Sequence, residues 1–225
     1  MSIRPKPAND DAGGDRAERR KAESRQRLLT AARWLFIERG YDATRPQDIA
    51  RAADVGYGTF YLHFADKRDC FLAFVEEARA ELQIFIRSRL DRVDGVEAQI
   101  RALLTALLDY AGRRPGVLKT AMTDLSVIAP EEGPTESLVE RWAAGLASDL
   151  RTAAGSGTIH ADYDTGIVGH AIVGLIHHAV RYGSKHAKRT ALIDNVTRFL
   201  VRALVPESSQ RDPHRRLFMS GEPEP

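Results

Sequence analysis

Cysteine is almost missing. A single thiol, Cys70, stands in 225 residues, so no disulfide can close within the chain and a reducing compartment fits. It follows DKRD and precedes FLAF at the start of an apolar helix face, where it reads as a small buried hydrophobe rather than a redox centre. Long apolar runs are missing too. No stretch of about 18 such residues occurs, which excludes a membrane-spanning helix. The opening MSIRPKPANDDAGGDR is polar and lacks the apolar centre of a secretory leader, so a cytoplasmic location is expected. Net charge is nearly absent, +2 from 33 Lys and Arg against 31 Asp and Glu, and the global balance names no partner. Alternating apolar and polar runs, the mark of strands, hardly appear, and neither do repeats at solenoid periods. There is no Ser–His–Asp signature, glycine-rich phosphate loop or nucleophile elbow, which argues against an enzyme.

What is present is the 3.6-residue period. It runs through a chain that is 43% hydrophobic, enough to bury a core, and predicts an all-α fold of about nine helices. Residues 1–15 and 206–225 are rich in proline, serine or charge without periodicity and are expected to be disordered tails. Between them, 16–66 read as a small three-helix unit and 67–205 as a larger helical bundle. The first helix is expected from Arg16 to Arg39, with Leu28, Leu29, Ala32, Leu35 and Phe36 as its stripe and Gly40 at its C-terminal cap. Two registers fit the start of the second. In one, Thr44 and Gln47 form a capping box; in the other, Pro46 occupies the first helical position. It ends near Ala53. A third helix, little more than two turns, runs from Gly56 to Phe64. Asp66 caps a fourth that reaches Leu90. Further helices are expected near 96–111, 115–127, 137–154, 163–182 and 187–204, with loops at 128–137 and 155–164.

The odd element is the third helix. Ile49, Ala50, Ala53, Val55, Phe60 and Phe64 face inward, covered by Leu28, Trp34 and Leu35. That leaves Tyr57, Gly58, Thr59, Tyr61 and His63 outside, a helix face with no acid to solvate it. Arg45, Arg51, Lys67 and Arg68 flank it. From Arg16 to Arg68 the chain carries twelve Lys and Arg against seven Asp and Glu. A cationic, acid-free helix face suits a polyanion with a groove that admits one helix, and B-DNA is such a partner. Glycine at 56 and 58 removes side chains where the backbone must come close. The N-termini of the third and fourth helices offer N–H groups to phosphate.

The stretch LLTAARWLFIERGYDATRPQDIARAADVGYGTFYLHFADKRDCFLAFVEE, residues 28–77, closely resembles the N-terminal DNA-binding domain of the tetracycline-repressor (TetR) family of bacterial transcription regulators. The resemblance lies in the combination of ERGYDAT, DIA, GTFYLHF and KRD. It implies a helix-turn-helix domain and a C-terminal bundle that dimerises and binds a small effector. By resemblance, Thr44 touches phosphate near the start of the second helix. Gly56, Tyr57, Gly58, Thr59, Tyr61 and His63 lie on the reading helix, and Lys67 grips phosphate. Two departures stand out: Gly56 where the family often has serine, and Pro46 where it usually has valine or methionine. No Arg, Lys, Asn or Gln lies between Gly56 and His63. Arg45 or Gln47 is therefore expected to supply any bidentate base contact, with Tyr57 and Thr59 against thymine methyls. The implied function is a ligand-responsive repressor acting as a homodimer on a near-palindromic operator; an activator of the same fold is the alternative.

In the bundle, residues 165–180 are apolar nearly all round. Val168, Ile172, Leu175, Ile176 and Ala179 form one stripe; Gly169, Val173 and Val180 form another. The last helix adds Leu192, Val196 and Phe199. A helix buried on two sides needs two partners, and a two-fold copy of the same surface is the simplest second one. Phe85, Leu108, Tyr110, Met122, Trp142 and His177 are the candidate liners of an effector pocket, with plain core packing as the competing role of each. No cofactor is expected. His160, Asp162, His170, His177 and His178 raise a metal-dependent enzyme as a rival, but His170 and His177 stand two turns apart and His177 and His178 point to different faces, so no metal site is expected.

Overall fold

The computed structural model describes residues 11–123, 137–186, 188–210 and 212–218, with side chains from residue 15 and excepting 183–186. Among them lie ten helices and no strand. They are α1 (Asp11–Arg39), α2 (Pro46–Ala52), α3 (Tyr57–Tyr61), α4 (Lys67–Leu90), α5 (Val96–Arg113), α6 (Val117–Ala121), α7 (Leu138–Gly155), α8 (Thr165–His186), α9 (Arg189–Leu204) and α10 (Glu207–Gln210). The chain divides into two compact units, Met1–Glu76 and Glu77–Pro225. The division falls within α4, ten residues past the boundary expected at 66. The reason is packing. Cys70, Phe71, Phe74 and Val75 of α4 are buried with the first three helices. Phe71 meets Phe36 edge-on at 5.0 Å and Tyr41 at 5.1 Å.

In the first unit, the apolar residues of α1 fall at helical spacing, and Leu28, Ala32, Leu35 and Phe36 are fully buried. Gly40, at φ +82°, ends α1 with its N–H on the Phe36 carbonyl, 3.0 Å away, as a left-handed cap requires. Trp34 does not cover the α3 aromatics. It is 55% exposed, because six residues from Leu28 at about 100° each carry it to the far side of the helix. The start of α2 settles the two registers. Pro46 takes the first helical position, Arg45 is the N-cap, and no side chain caps. The alternative register, with a Thr44–Gln47 capping box, does not form. α2 ends in a Schellman-type turn, the Val55 N–H reaching the Ala50 carbonyl at 3.0 Å with Asp54 at φ 52°. Arg27 secures that turn on the Asp54 carbonyl and carboxylate, at 2.9 and 3.1 Å. Burial pushes the Cys70 thiol up to about 12, so it is a core residue and an inert one.

In the second unit, Val96, Ile100 and Leu104 of α5 meet Leu150 and Ala153 of α7, Ile172 of α8, and Ile193, Val196, Leu200 and Leu204 of α9. α7 opens with a capping box between Ser137 and Glu140. At the α7–α8 crossing the backbones nearly touch. A Cβ at Gly169 would lie 2.8 Å from the Ala143 carbonyl oxygen and 3.1 Å from the Ala147 nitrogen.

The C-terminal expectation fails for residues 206–210 and 212–218. Instead of a loose tail, α10 places Ser209 with its hydroxyl on the Gly157 carbonyl at 3.0 Å. Leu217 is buried, and the side-chain oxygen of buried Gln99 accepts from the Leu217 and Phe218 N–H groups at 2.8 and 3.2 Å. Arg216 holds Asp94 through two bonds of 3.0 and 2.6 Å. At the other end α1 already begins at Asp11, so residues 11–15 are helical. Residues 1–10, 219–225 and the expected loop at 128–136 lie outside the described residues.

Candidate nucleic-acid interface

α3 is five residues long, shorter than the nine expected, because its cap at Leu62 and the turn after it close early: Leu62 N–H donates to Thr59 O and His63 N–H to Phe60 O. Phe60 and Phe64 are buried with their ring centres 5.6 Å apart and tilted at 47°, which turns the opposite side of α3 outward. Gly56, Tyr57, Gly58 and Tyr61 are exposed there, with Thr59 half-buried. No acid interrupts them. Gln47 of α2 donates to the Tyr57 hydroxyl at 3.1 Å, and Tyr57 and Tyr61 share a hydrogen bond of 2.7 Å with their rings edge-on at 5.1 Å. That shared bond, more than any burial, raises the Tyr61 pKa above its ordinary value. The result is a polar aromatic ridge pre-organised by the protein, joined to α2 through one amide.

The backbone at Gly58 is of ordinary helical hand, and a Cβ there would meet nothing within 4 Å. Among the described residues nothing calls for glycine there, and glycine in a helix costs about 1 kcal/mol relative to alanine. Gly56, the N-cap of α3, likewise supplies no side-chain cap.

The other expected site residues divide. Arg45 is exposed at the N-cap of α2 and Gln47 is exposed beside it. Lys67 is half-buried at the head of α4. Its ammonium donates to the Tyr41 carbonyl at 3.2 Å and sits 4.0 Å from the Tyr41 ring centre. It is thereby positioned, with donors to spare. Asp66 takes the Asp69 N–H at 2.7 Å, one of the groups the sequence reading left for phosphate at this helix end. Thr44 is a correction. It is fully buried, and its hydroxyl donates to the Gly40 carbonyl at 2.7 Å; it secures the α1–α2 turn and cannot reach a phosphate. His63 falls beyond the end of α3, half-buried, with Nε2 at 2.7 Å from the Ser24 hydroxyl. Burial first, then Lys21 and Arg25, lower its pKa. It joins α1 to the turn after α3. Leu62 was missed. It is 74% exposed between Tyr61 and His63, and its position two residues from both inward-facing Phe60 and Phe64 was the available signal.

For the second unit the structure brings Phe85 and Tyr110 together at 5.5 Å, with the Tyr110 hydroxyl donating to Glu81 at 3.2 Å and Arg89 stacked 3.5 Å over Phe85. Tyr110 is buried and Leu108 packs on the main core. Met122, Trp142 and His177 are half-buried. A shallow groove lies elsewhere, lined by Val96, Glu97, Arg101, Gln210, Asp212 and Pro213, and none of the expected liners borders it. Two residues expected at a subunit interface are occupied within the chain. Gly169 is covered by α7, and Val196 belongs to the core. Leu192 also leans on that core, Val173 and Val180 are half-buried, and Phe199 is 57% exposed. No group of three or more His, Cys, Asp or Glu that could hold a metal occurs among the described residues. No described helix is long and apolar enough to cross a membrane.

A tri-helical unit with a capped scaffold helix, a tight turn and a short outward-facing second helix is a helix-turn-helix, the class of unit that sets one helix into a nucleic-acid groove. Residues 28–74 match the family described as bacterial regulatory proteins, tetR family. The match covers this unit alone. Among curated relatives, it is 33% identical over 101 residues to the transcriptional activator FasR of Mycolicibacterium smegmatis, covering 44% of this chain and 46% of that protein. It is 39% identical over 98 residues to the transcriptional repressor BepR of Brucella suis biovar 1, covering 43% and 47%. The matches thus span about half the length of these relatives. In fold, the chain is similar to a TetR-family regulator from Shewanella sp. PV-4, with a TM-score of 0.65 at 20% identity over 82% of this chain and 99% of that one. It is also similar to the fatty acid degradation regulator FadR from Bacillus halodurans, with a TM-score of 0.63 at 22% identity over 78% and 93%.

Proposed function

We propose that this protein is a sequence-specific DNA-binding transcriptional regulator, a ligand-responsive repressor that acts as a homodimer on a near-palindromic operator in the cytoplasm. It binds rather than catalyses. The observation that carries the reading is Gly58: a residue that weakens its own helix, unneeded by any internal contact, on the acid-free side of α3. Its lack of a side chain serves a partner that comes close to the backbone. Tyr57, Tyr61 and Leu62 give that partner an apolar and hydroxylic surface suited to thymine methyls and base edges. Arg45 and Gln47 reach out beside it for any bidentate base contact. Lys67, steadied by Tyr41, meets phosphate.

A single reading helix covers few base pairs, so a second copy is part of the reading. With Gly169 and Val196 used internally, the dimer face moves to the outer side of α8 and α9, where Ile167, Ala171, Tyr182 and Phe199 are exposed. An effector in the second unit, around Phe85 and Tyr110, would act by favouring one spacing of the two reading heads over the other. Repression is the family's commoner mode; FasR among the relatives is an activator. A reporter placed behind the protein's own upstream region decides the sign. Derepression on deleting the protein supports repression, and loss of expression would reverse it.

A further inference from the structure

α1 is longer than the unit it packs on. Its docking begins at Ser24, whose hydroxyl meets His63, with Arg25 5.2 Å from the Phe64 ring centre and Arg27 on Asp54. Leu28 is its first fully buried residue. From residue 15 to residue 23 every side chain is exposed, and none is an apolar group larger than alanine. A helical stretch with no apolar stripe gains nothing from packing, so its side chains answer to something other than this core.

At 3.6 residues per turn, Arg16, Arg20 and Lys21 fall within the side of the helix that Ser24 and Arg27 use to meet the helix-turn-helix. Glu23 stands at the edge of that side, about 20° from Arg16, while Asp15 and Glu18 fall opposite, together with Arg19, which Asp15 pairs at 2.8 Å. His63, two residues past the end of α3, marks where this stretch leaves the unit: beside the C-terminal end of the reading helix.

We propose that the exposed amino-terminal half of α1 is a second nucleic-acid contact, an arm whose Arg16, Arg20 and Lys21 lie against the phosphates flanking the groove that α3 enters. The proposal rests on the DNA-binding reading above. Nine residues make an arm about 13 Å long, room for about three phosphate contacts. It holds no apolar group to enter a lipid surface, and cations placed on the phosphates beside the groove add affinity and footprint while sequence preference stays with α3.

The test uses the full chain with Arg16→Gln, Arg20→Gln and Lys21→Gln together, and a duplex selected by the wild-type protein from a random library. Affinity is measured from 50 to 200 mM salt, on duplexes with and without flanking base pairs. Losing three phosphate contacts per protomer, six per dimer, should flatten the log–log salt slope by about 5.4, so that wild-type affinity falls about 1,800-fold further than the variant's over that range. Trimming the flanks should weaken the wild type and leave the variant unchanged. The ranking of duplex sequences should be the same for both. Asp15→Asn with Glu18→Gln, on the opposite side, should leave the slope as it is. An unchanged slope in the triple variant overturns the arm alone, as does an equal flattening in the acidic-side control. A wild-type protein that selects no duplex overturns the DNA-binding reading and the arm with it.

Discussion

Gly58 and Gly169 both sit in helices with ordinary backbone, yet replacing each by alanine should act in opposite directions. At Gly58 a methyl meets empty space, so Gly58→Ala should raise stability by about 0.5–1 kcal/mol through helix propensity while weakening duplex binding at least tenfold. Urea unfolding and a binding titration on the same sample read both. At Gly169 the methyl would lie 2.8 Å from backbone, and Gly169→Ala should cost about 1–3 kcal/mol. Two titrating groups extend the residue-scale account. Asp149 is half-buried, and burial raises its pKa from 3.8 to about 6. A raised carboxylate pKa means the folded state holds the proton more tightly, so stability falls as pH rises through about 6. Asp149→Asn should therefore gain about 1 kcal/mol at pH 7, discounted for partial exposure, or 2–4 °C, with the gain vanishing towards pH 4. His63 has the opposite sign. Its pKa is lowered from 6.5, by burial and then by Lys21 and Arg25. The neutral ring's contribution is intact above about 6.5 and is lost as pH falls below it. Wild type should lose stability between pH 7 and pH 5 that His63→Gln keeps, as thermal unfolding at both pH values would reveal.

At the scale of elements, the C-terminal segment behaves as part of the bundle. Leu217 is 2% exposed and its N–H is held by Gln99, so Leu217→Ala should cost about 2–3 kcal/mol in urea unfolding; a change within error of zero would return the segment to a loose end. The sequence pattern could not reveal this. A lone Leu–Phe pair in a polar stretch has no period to read, and its partner Gln99 lies 118 residues away. The helices themselves were legible because period 3.6 is local: Phe60 and Phe64, Ile49 and Ala53, Ile100 and Leu104 all face inward as spaced. Lengths were less so, since α3 stops where a turn hydrogen bond competes with helix continuation. Gly169 shows the intermediate case. A glycine on an apolar helix announces a close approach, but only the fold says that α7 makes it. Thr44 was misread because a buried threonine bonded to a carbonyl and an exposed one bonded to phosphate look alike in sequence.

At the scale of the whole molecule, the account needs two copies. Ile167, Tyr182 and Phe199 are large apolar side chains left exposed on α8 and α9. Tyr182→Glu with Phe199→Glu should turn a dimer into a monomer by sedimentation velocity, keep the helical content, and abolish preference for a two-half-site duplex. The most direct measurement of the central claim concerns α3. Wild type, Tyr57→Ala and Gly58→Ala are each titrated, at fixed low salt, against the selected duplex and against random sequence. The account predicts tight binding by wild type, and in both variants a loss on the selected duplex with little change on random DNA. Variants that keep the wild-type ratio between selected and random duplex would contradict it, because α3 would then not be the element that reads.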